Sequence, residues 1–292
     1  MLGSDRSISK GFTSNPYVNG ILWSGARLPR NQITYSFDNQ GSNNWGTVGV
    51  AAVEAALSRW ESVADIEFVR VANNNNYADL RLKLEDSTYF ANGSANSISL
   101  GEFNAPGESN QGEGVFNADE LGNSNFRLKP GAEGFKILIH EIGHGLGLGH
   151  PHDTSRGLST TFLGIPNGDD DNQGLYRLNQ GVWTTMSYNN GFNGRGFEST
   201  PMALDIAAVQ HLYGANDSYA AGNDTYKLAD SDSYTAIWDT GGIDTITAIG
   251  LDLGVAAKID LRSAPLTGAN ARGYISSATG EDTGLTIAHG VE

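Results

Sequence analysis

The chain has 292 residues, enough for one large or two modest domains and more than a hydrophobic core requires. Charged residues make up 17% and hydrophobic ones 39%, which suits a globular protein and excludes a disordered one. A net charge of −15 with no basic stretch argues against nucleic acid and anionic membrane surfaces as partners.

Cysteine is absent, so no disulfide staples the fold and no thiolate can ligate a metal or switch off a metal site. No stretch approaches 18 apolar residues, so none is expected to span a membrane. The start, Met1 to Ser7, has no basic region leading into an apolar run, and no secretory signal peptide is read there.

In chain order, residues 1–20 are rich in Ser, Asn and Gly and are expected to be loosely held. Ile33 to Phe37 alternates like a strand. Gly46 to Val63 reads as a helix, with Val50, Val53, Ala56, Leu57 and Trp60 at helical spacing. Ile66 to Val71 is a second strand, Asn73 to Asn76 a turn, and the strictly alternating Ala78 to Leu84 a third strand. Ser97 to Phe103 can form a further strand at the sheet edge.

An apolar helical approach, Gly134 to Ile139, leads into eleven residues, His140 to His150, that read H-E-x-x-H-x-x-G-x-x-H. Positions four apart lie on one helical face, so His140 and His144 aim at one spot, and Glu141 can reach its side. Gly147 lets the chain leave the helix and return His150 to the same point, because glycine takes positive φ without a Cβ clash. Three neutral imidazoles with a fourth position open is the pattern of one catalytic Zn²⁺, with Glu141 as the base for water. The bland alternative is a helix end carrying three surface His. Three of the chain's six His falling in this one motif speak against it.

Further on, Asn167 to Asn172 contains Asp169, Asp170 and Asp171 on one turn. Adjacent carboxylates can hold Ca²⁺, but the EF-hand spacing is missing and a solvated acidic loop is the simpler reading. His152 and Asp153 follow Pro151; His152 is not expected as an extra ligand, since the coordination is already supplied. Leu204 to Asn216 contains a helix, after which short strands and turns take over.

The long histidine motif resembles that of the metzincins, zinc endopeptidases with a methionine turn below the metal. Thr184-Thr185-Met186-Ser187-Tyr188 matches that turn. Pro151 after the third His, the Met186-Ser187-Tyr188 triplet and the Leu204–Asn216 run most resemble the serralysins. His152 departs from the pattern, which usually has Gly there. The resemblance implies an α+β fold: a twisted mixed sheet with long helices, a cleft between two subdomains and a short β-rich tail. It implies domains at 21–216 (catalytic) and 217–292 (tail), after the loose segment 1–20.

It also implies that Met186 packs beneath the ligands, with Gly147 as structural support. Tyr188 would contact zinc or the oxyanion, and the edge strand near Ser97–Phe103 would pair with extended substrate. Gly222 to Thr225 and Trp238 to Thr245 resemble the entry to a calcium-binding C-terminal domain, with Asp239, Gly241 and Asp244 matching a structural Ca²⁺ site. The glycine-rich repeats that follow in relatives are not found before Glu292. The expected function is a secreted endopeptidase cutting extended protein segments, exported through a C-terminal signal outside this chain. A small proteinaceous inhibitor is a candidate partner and a monomer the expected state. The rivals are a non-catalytic metal-binding or adhesion module on the same scaffold, and a zinc hydrolase of another class such as an amidase.

Overall fold

The computed structural model describes residues 7–39, 43–91, 99–122, 128–154, 160–190, 196–228, 233–250, 256–278 and 284–291. The first elements are β1 (Ile8–Ser9), α1 (Pro16–Asn19), β2 (Ala26–Arg27), β3 (Gln32–Asp38), α2 (Gly46–Val63), β4 (Glu67–Arg70) and β5 (Leu80–Glu85). Then come α3 (Ser87–Phe90), β6 (Gly101–Phe103), β7 (Glu113–Asn117), α4 (Ala118–Gly122) and α5 (Glu133–Leu146). Five strands form one sheet in the order β4-β3-β5-β7-β6. All its pairings are parallel except β6 on β7, which is antiparallel.

The sequence dictates this layer directly. β5 buries Leu80, Leu82 and Leu84 and turns Arg81, Lys83 and Glu85 outward, the period of two that a half-covered strand requires. α2 buries Ala52, Val53, Ala56, Leu57, Trp60 and Val63 on one stripe. α5 is buried all round because α2 covers one side and the sheet another. The Trp60 indole donates to the Ile139 carbonyl at 3.2 Å, locking the two helices together. The edge strand expected near Ser97–Phe103 is present as β6; residues 97 and 98 lie outside the described residues.

The segment expected to be loosely held is held in its described part, residues 7–20. β1 pairs with β2, and Tyr17 and Val18 of α1 are buried. Its polar residues tie the segment down instead of solvating it. Asn15 accepts from the Tyr17 and Val18 amides, and Asn19 accepts from the Thr13 amide at 2.8 Å. Asn15 also donates to the Leu266 carbonyl, and His211 meets the Gly11 carbonyl, each at 2.9 Å.

The remaining elements are β8 (Phe197–Glu198), α6 (Ala203–Tyr213), β9 (Thr225–Lys227), β10 (Ser233–Ile237), β11 (Thr245–Thr247), β12 (Ala257–Lys258), β13 (Ser277–Ala278) and β14 (Gly284–Ile287). The tail is β-rich, as expected, but it joins the rest through shared packing. β8, which precedes residue 217, pairs in parallel with β10, which follows it. The Arg272 guanidinium lies 4.1 Å from the Trp183 ring centre, and Trp238 donates to the Asn216 carbonyl at 3.0 Å. Leu228, Ile237, Leu285 and Ile287 form the tail's own small core. No helix among the described residues is long and apolar enough to cross a membrane.

Candidate metal centre and active-site cleft

α5 carries His140 and His144 one turn apart on the face toward the cleft. The helix stops at Gly147, whose φ is 109° and where a Cβ would stand 2.4 Å from the Ala26 carbonyl oxygen. The chain then runs antiparallel to residues 21–23: Trp23 donates to the Gly147 carbonyl and Gly149 to the Ile21 carbonyl, both at 2.9 Å. This short pairing returns His150 to the helix. Sequence reasoning foresaw the glycine exit but not the segment 21–23 that steers it, since that contact spans more than 120 residues.

The three Nε2 atoms converge. They lie 3.1 Å (His140–His144), 2.9 Å (His144–His150) and 3.2 Å (His140–His150) apart. His140 Nδ1 is 2.7 Å from the Thr185 carbonyl and His144 Nδ1 2.9 Å from the Leu148 carbonyl. A carbonyl only accepts, so both Nδ1 atoms carry the proton and both Nε2 atoms present lone pairs. Burial, then the neighbouring His144 charge, holds His140 well below its ordinary pKa, so protonation does not relieve the repulsion. A cation between the lone pairs does. An ion holding tetrahedral nitrogens at about 2.0–2.1 Å sets them about 3.3 Å apart, close to the spacing found. The residues therefore fit zinc.

Glu141 lies beside this point, buried, with its Oε2 lacking a hydrogen-bond partner among the described residues. Burial, reinforced by the Glu102 charge, pushes its carboxyl up to about 8. Gly101 of β6 makes room for it: a Cβ there would come within 2.9 Å of Glu141 Cγ and 3.0 Å of Oε1. Met186 is fully buried beneath the helix, its Sδ 2.8 Å from where a Cβ on Gly143 would stand. Tyr188 stays half-exposed at 53%, its ring centre 4.6 Å from that of His150 and 5.8 Å from that of His140. Desolvation, then the Glu141 charge, raises its phenol above the usual tyrosine range.

The methionine turn is fastened by a residue that sequence reasoning missed. Asp205 of α6 is fully buried and accepts from Thr184 Oγ1 at 2.5 Å, the Thr185 amide at 2.7 Å and the Met202 amide at 2.8 Å. The Thr185 carbonyl then receives His140 Nδ1–H, so the chain Asp205–Thr185–His140 orients a ligand from behind. The signal available was an acid inside an otherwise apolar helical run, Leu204 to Val209.

A cleft of about 660 Å³ opens on the Glu141 side of the centre, bordered by Leu100, Lys136, Ile137 and Tyr188. A smaller one of about 200 Å³ continues past His144 and His150 toward Trp23 and Asp153. His152 is buried, at 5% exposure, and its ring stacks on His150 at 5.0 Å with an interplanar angle of 3°. It lies outside the converging ligand set. Of the acidic loop, Asp170 borders the larger cleft and its carbonyl accepts from Asn179 and Asn189. Among the described residues, Asp169, Asp170 and Asp171 do not gather into a ligand cluster.

In the tail, Asp239 and Asp244 come together and the structure adds Asp224; one carboxylate oxygen from each lies within 4.8 Å of the others. Gly241 contributes its amide to Asp239 Oδ1 at 3.0 Å, and Asp244 Oδ1 receives the Asp224 amide at 2.8 Å. Tyr226 donates to Asp239 Oδ2 at 2.5 Å. The set offers the hard oxygens that Ca²⁺ takes.

Residues 27–178, just over half of the chain, match the peptidase M10 family described as Matrixin. The chain is similar to Serralysin B of Dickeya chrysanthemi, 28% identical over 319 aligned positions covering 99% of this chain and 60% of that protein. It is similar to Serralysin of Photorhabdus luminescens, 30% identical across 68% of this chain and 42% of the relative. A third relative is Metalloprotease AprA of Pseudomonas entomophila (strain L48), 29% identical across 67% of this chain and 42% of the relative. The chain thus spans roughly half the length of these relatives.

Proposed function

Because the chain belongs to the matrixin-type M10 peptidase family and is a serralysin-like metzincin, we propose that it is a zinc-dependent endopeptidase acting on extended protein segments. The observation that supports this best is the meeting of three imidazole lone pairs beside a buried carboxylate with an unpartnered oxygen, inside an open cleft. A pure metal-holding module has no use for that carboxylate.

His140, His144 and His150 would hold the ion. Zinc on three neutral imidazoles supplies Lewis acidity to a water and to the scissile carbonyl. Glu141 takes a proton from the attacking water and passes it to the leaving amine. A cation held by His140, His144 and His150 would favour the ionised form of Glu141 that starts the cycle. Tyr188 donates its phenolic hydrogen to the oxygen on which negative charge develops. Gly101 lies on the sheet's edge strand, so substrate backbone can pair with β6 while its carbonyl faces the metal point.

Met186 and the Asp205 network hold the ligand helix from below, and Asp224, Asp239 and Asp244 bind a structural Ca²⁺ in the tail. Residues 21–216 form the catalytic unit and 217–292 the tail. The serralysin relatives support a protein that works outside the cell, and we take it to act as a monomer.

The test is Glu141→Gln with metal analysis and a casein or fluorogenic-peptide assay. Stoichiometric zinc with proteolysis lost is expected. Stoichiometric zinc with near wild-type proteolysis would overturn the role of Glu141, and a zinc-loaded wild type that cuts nothing would overturn the endopeptidase reading.

A further inference from the structure

Lys136 lies one turn before His140 on α5 and is the only Lys or Arg bordering the larger cleft among the described residues. Its side chain is 11% exposed. An ammonium carries three donors and demands acceptors when desolvated. The nearest is Glu198 Oε2 on β8, at 3.9 Å, which is an ion pair too long to be a hydrogen bond. The Phe197 ring lies 5.8 Å away, and no other acceptor among the described residues reaches the ammonium. Glu198 Oε2 is itself buried without a hydrogen-bond partner among the described residues. The pair balances charge across α5 and β8, and among the described residues no hydrogen-bond acceptor meets the ammonium on the cleft side. Phe90, Leu100 and Ile137 give that cleft one apolar face. Lys136 is the cation among polar lining residues that include Glu133, Asp170 and Asn190, so an aliphatic stem laid on the apolar face can end on the ammonium.

We infer that Lys136 is a specificity-determining residue, selecting a substrate side chain with an apolar stem and a terminal oxygen acceptor, carboxylate or carboxamide, beside the scissile bond. The inference rests on the endopeptidase reading. A stem the length of glutamate or glutamine lies along Ile137 and presents its oxygen to the ammonium, while a cationic side chain meets a like charge. Glu133 and Asp170 also border the cleft, so a carboxylate is drawn in by Lys136 against their repulsion and a carboxamide is not opposed. The two sources of the oxygen are separated by the peptides below.

Four peptides differing only in Glu, Gln, Met or Lys at each position flanking the scissile bond are compared by kcat/KM. At one position, the Glu and Gln peptides are expected to exceed the isosteric Met peptide by roughly 10–100-fold, the worth of a charge-assisted hydrogen bond. The Lys peptide should gain relative to the Gln peptide in Lys136→Met, where the like charge is gone. In Lys136→Met the advantage should shrink to about threefold or less. Glu198→Gln keeps the ammonium and should raise Glu relative to Gln. An undiminished advantage in Lys136→Met, or Met as the best residue in the wild type, overturns the inference. If Lys136→Met does not fold, zinc-binding hydroxamates bearing Glu or Met side chains are titrated into the zinc-loaded wild type by calorimetry. Tighter binding of the Glu compound is expected, and equal affinities overturn the inference. Preference among hydroxamates without any peptide cleavage removes the endopeptidase reading alone; cleavage without preference removes the role of Lys136 alone.

Discussion

Asp205 offers the sharpest test of how the metal ligands are held. Truncation by Asp205→Ala strips three donors of their acceptor: the Thr184 hydroxyl and the Thr185 and Met202 amides. Each orphaned buried donor costs about 1–3 kcal/mol. Against that, the variant escapes the penalty of burying the carboxylate. Burial lifts the Asp205 carboxyl from 3.8 to about 6 despite the three hydrogen bonds, worth about 3 kcal/mol at 1.36 kcal/mol per unit. The central expectation is a net loss of about 3 kcal/mol. For a chain of this size that lowers Tm by about 5 °C.

The same truncation frees the Thr185 carbonyl that takes His140 Nδ1–H, so zinc affinity should fall by about 10–100-fold in a chelator competition. Asp205→Asn can keep both backbone donors on its carbonyl and should lose less of each. The two variants also separate by pH. The folded carboxyl binds its proton more tightly than the unfolded one, so its contribution is fully present below the unfolded pKa of about 3.8. It is lost as pH rises through about 6. In urea titrations of metal-free protein, wild type should therefore lose up to about 3 kcal/mol relative to the Asn variant between pH 4 and 7. An Ala variant that melts like wild type and binds zinc as tightly would refute the positioning role.

Gly101→Ala places a methyl 2.9 Å from Glu141 Cγ, and a displaced base should cost about tenfold or more in kcat while zinc content holds; unchanged kcat in a folded variant would show that Glu141 has slack. Tyr188→Phe should lower kcat by roughly 10–100-fold and leave KM nearly alone, since zinc still shares the oxyanion. A rise in KM at constant kcat would instead make Tyr188 a substrate-binding residue. Ca²⁺ at 100 times its Kd should stabilise the fold by about 2.7 kcal/mol, seen as a higher Tm than with a calcium-selective chelator. Asp224→Asn together with Asp239→Asn should abolish the difference, and identical melts of the wild type with and without calcium would remove the tail site.

Local spacing in the sequence determined much of this protein. The period of two gave β5, the helical period gave α2 over Gly46–Val63 to the residue, and four-residue spacing put His140 and His144 on one face. These are legible because side chains i and i+2 share a face as soon as a strand forms, and i and i+4 as soon as a helix forms, whatever packs against them. The glycine exit at Gly147 belongs to the same class, since its φ of 109° is a property of one residue.

What joined distant residues was decided by tertiary structure. Polar composition suggested a loose N-terminus, yet Asn15 and Asn19 spend their side chains on backbone partners and residues 21–23 steer His150 into place. Asp224 completed the acidic cluster from 20 positions before Asp244. Asp205 reaches His140 through Thr185, and Lys136 faces a cleft that the methionine turn also borders. None of these pairings has a sequence period. Each depends on burial, which makes an unfilled donor or acceptor costly enough to demand a partner wherever the fold can bring one.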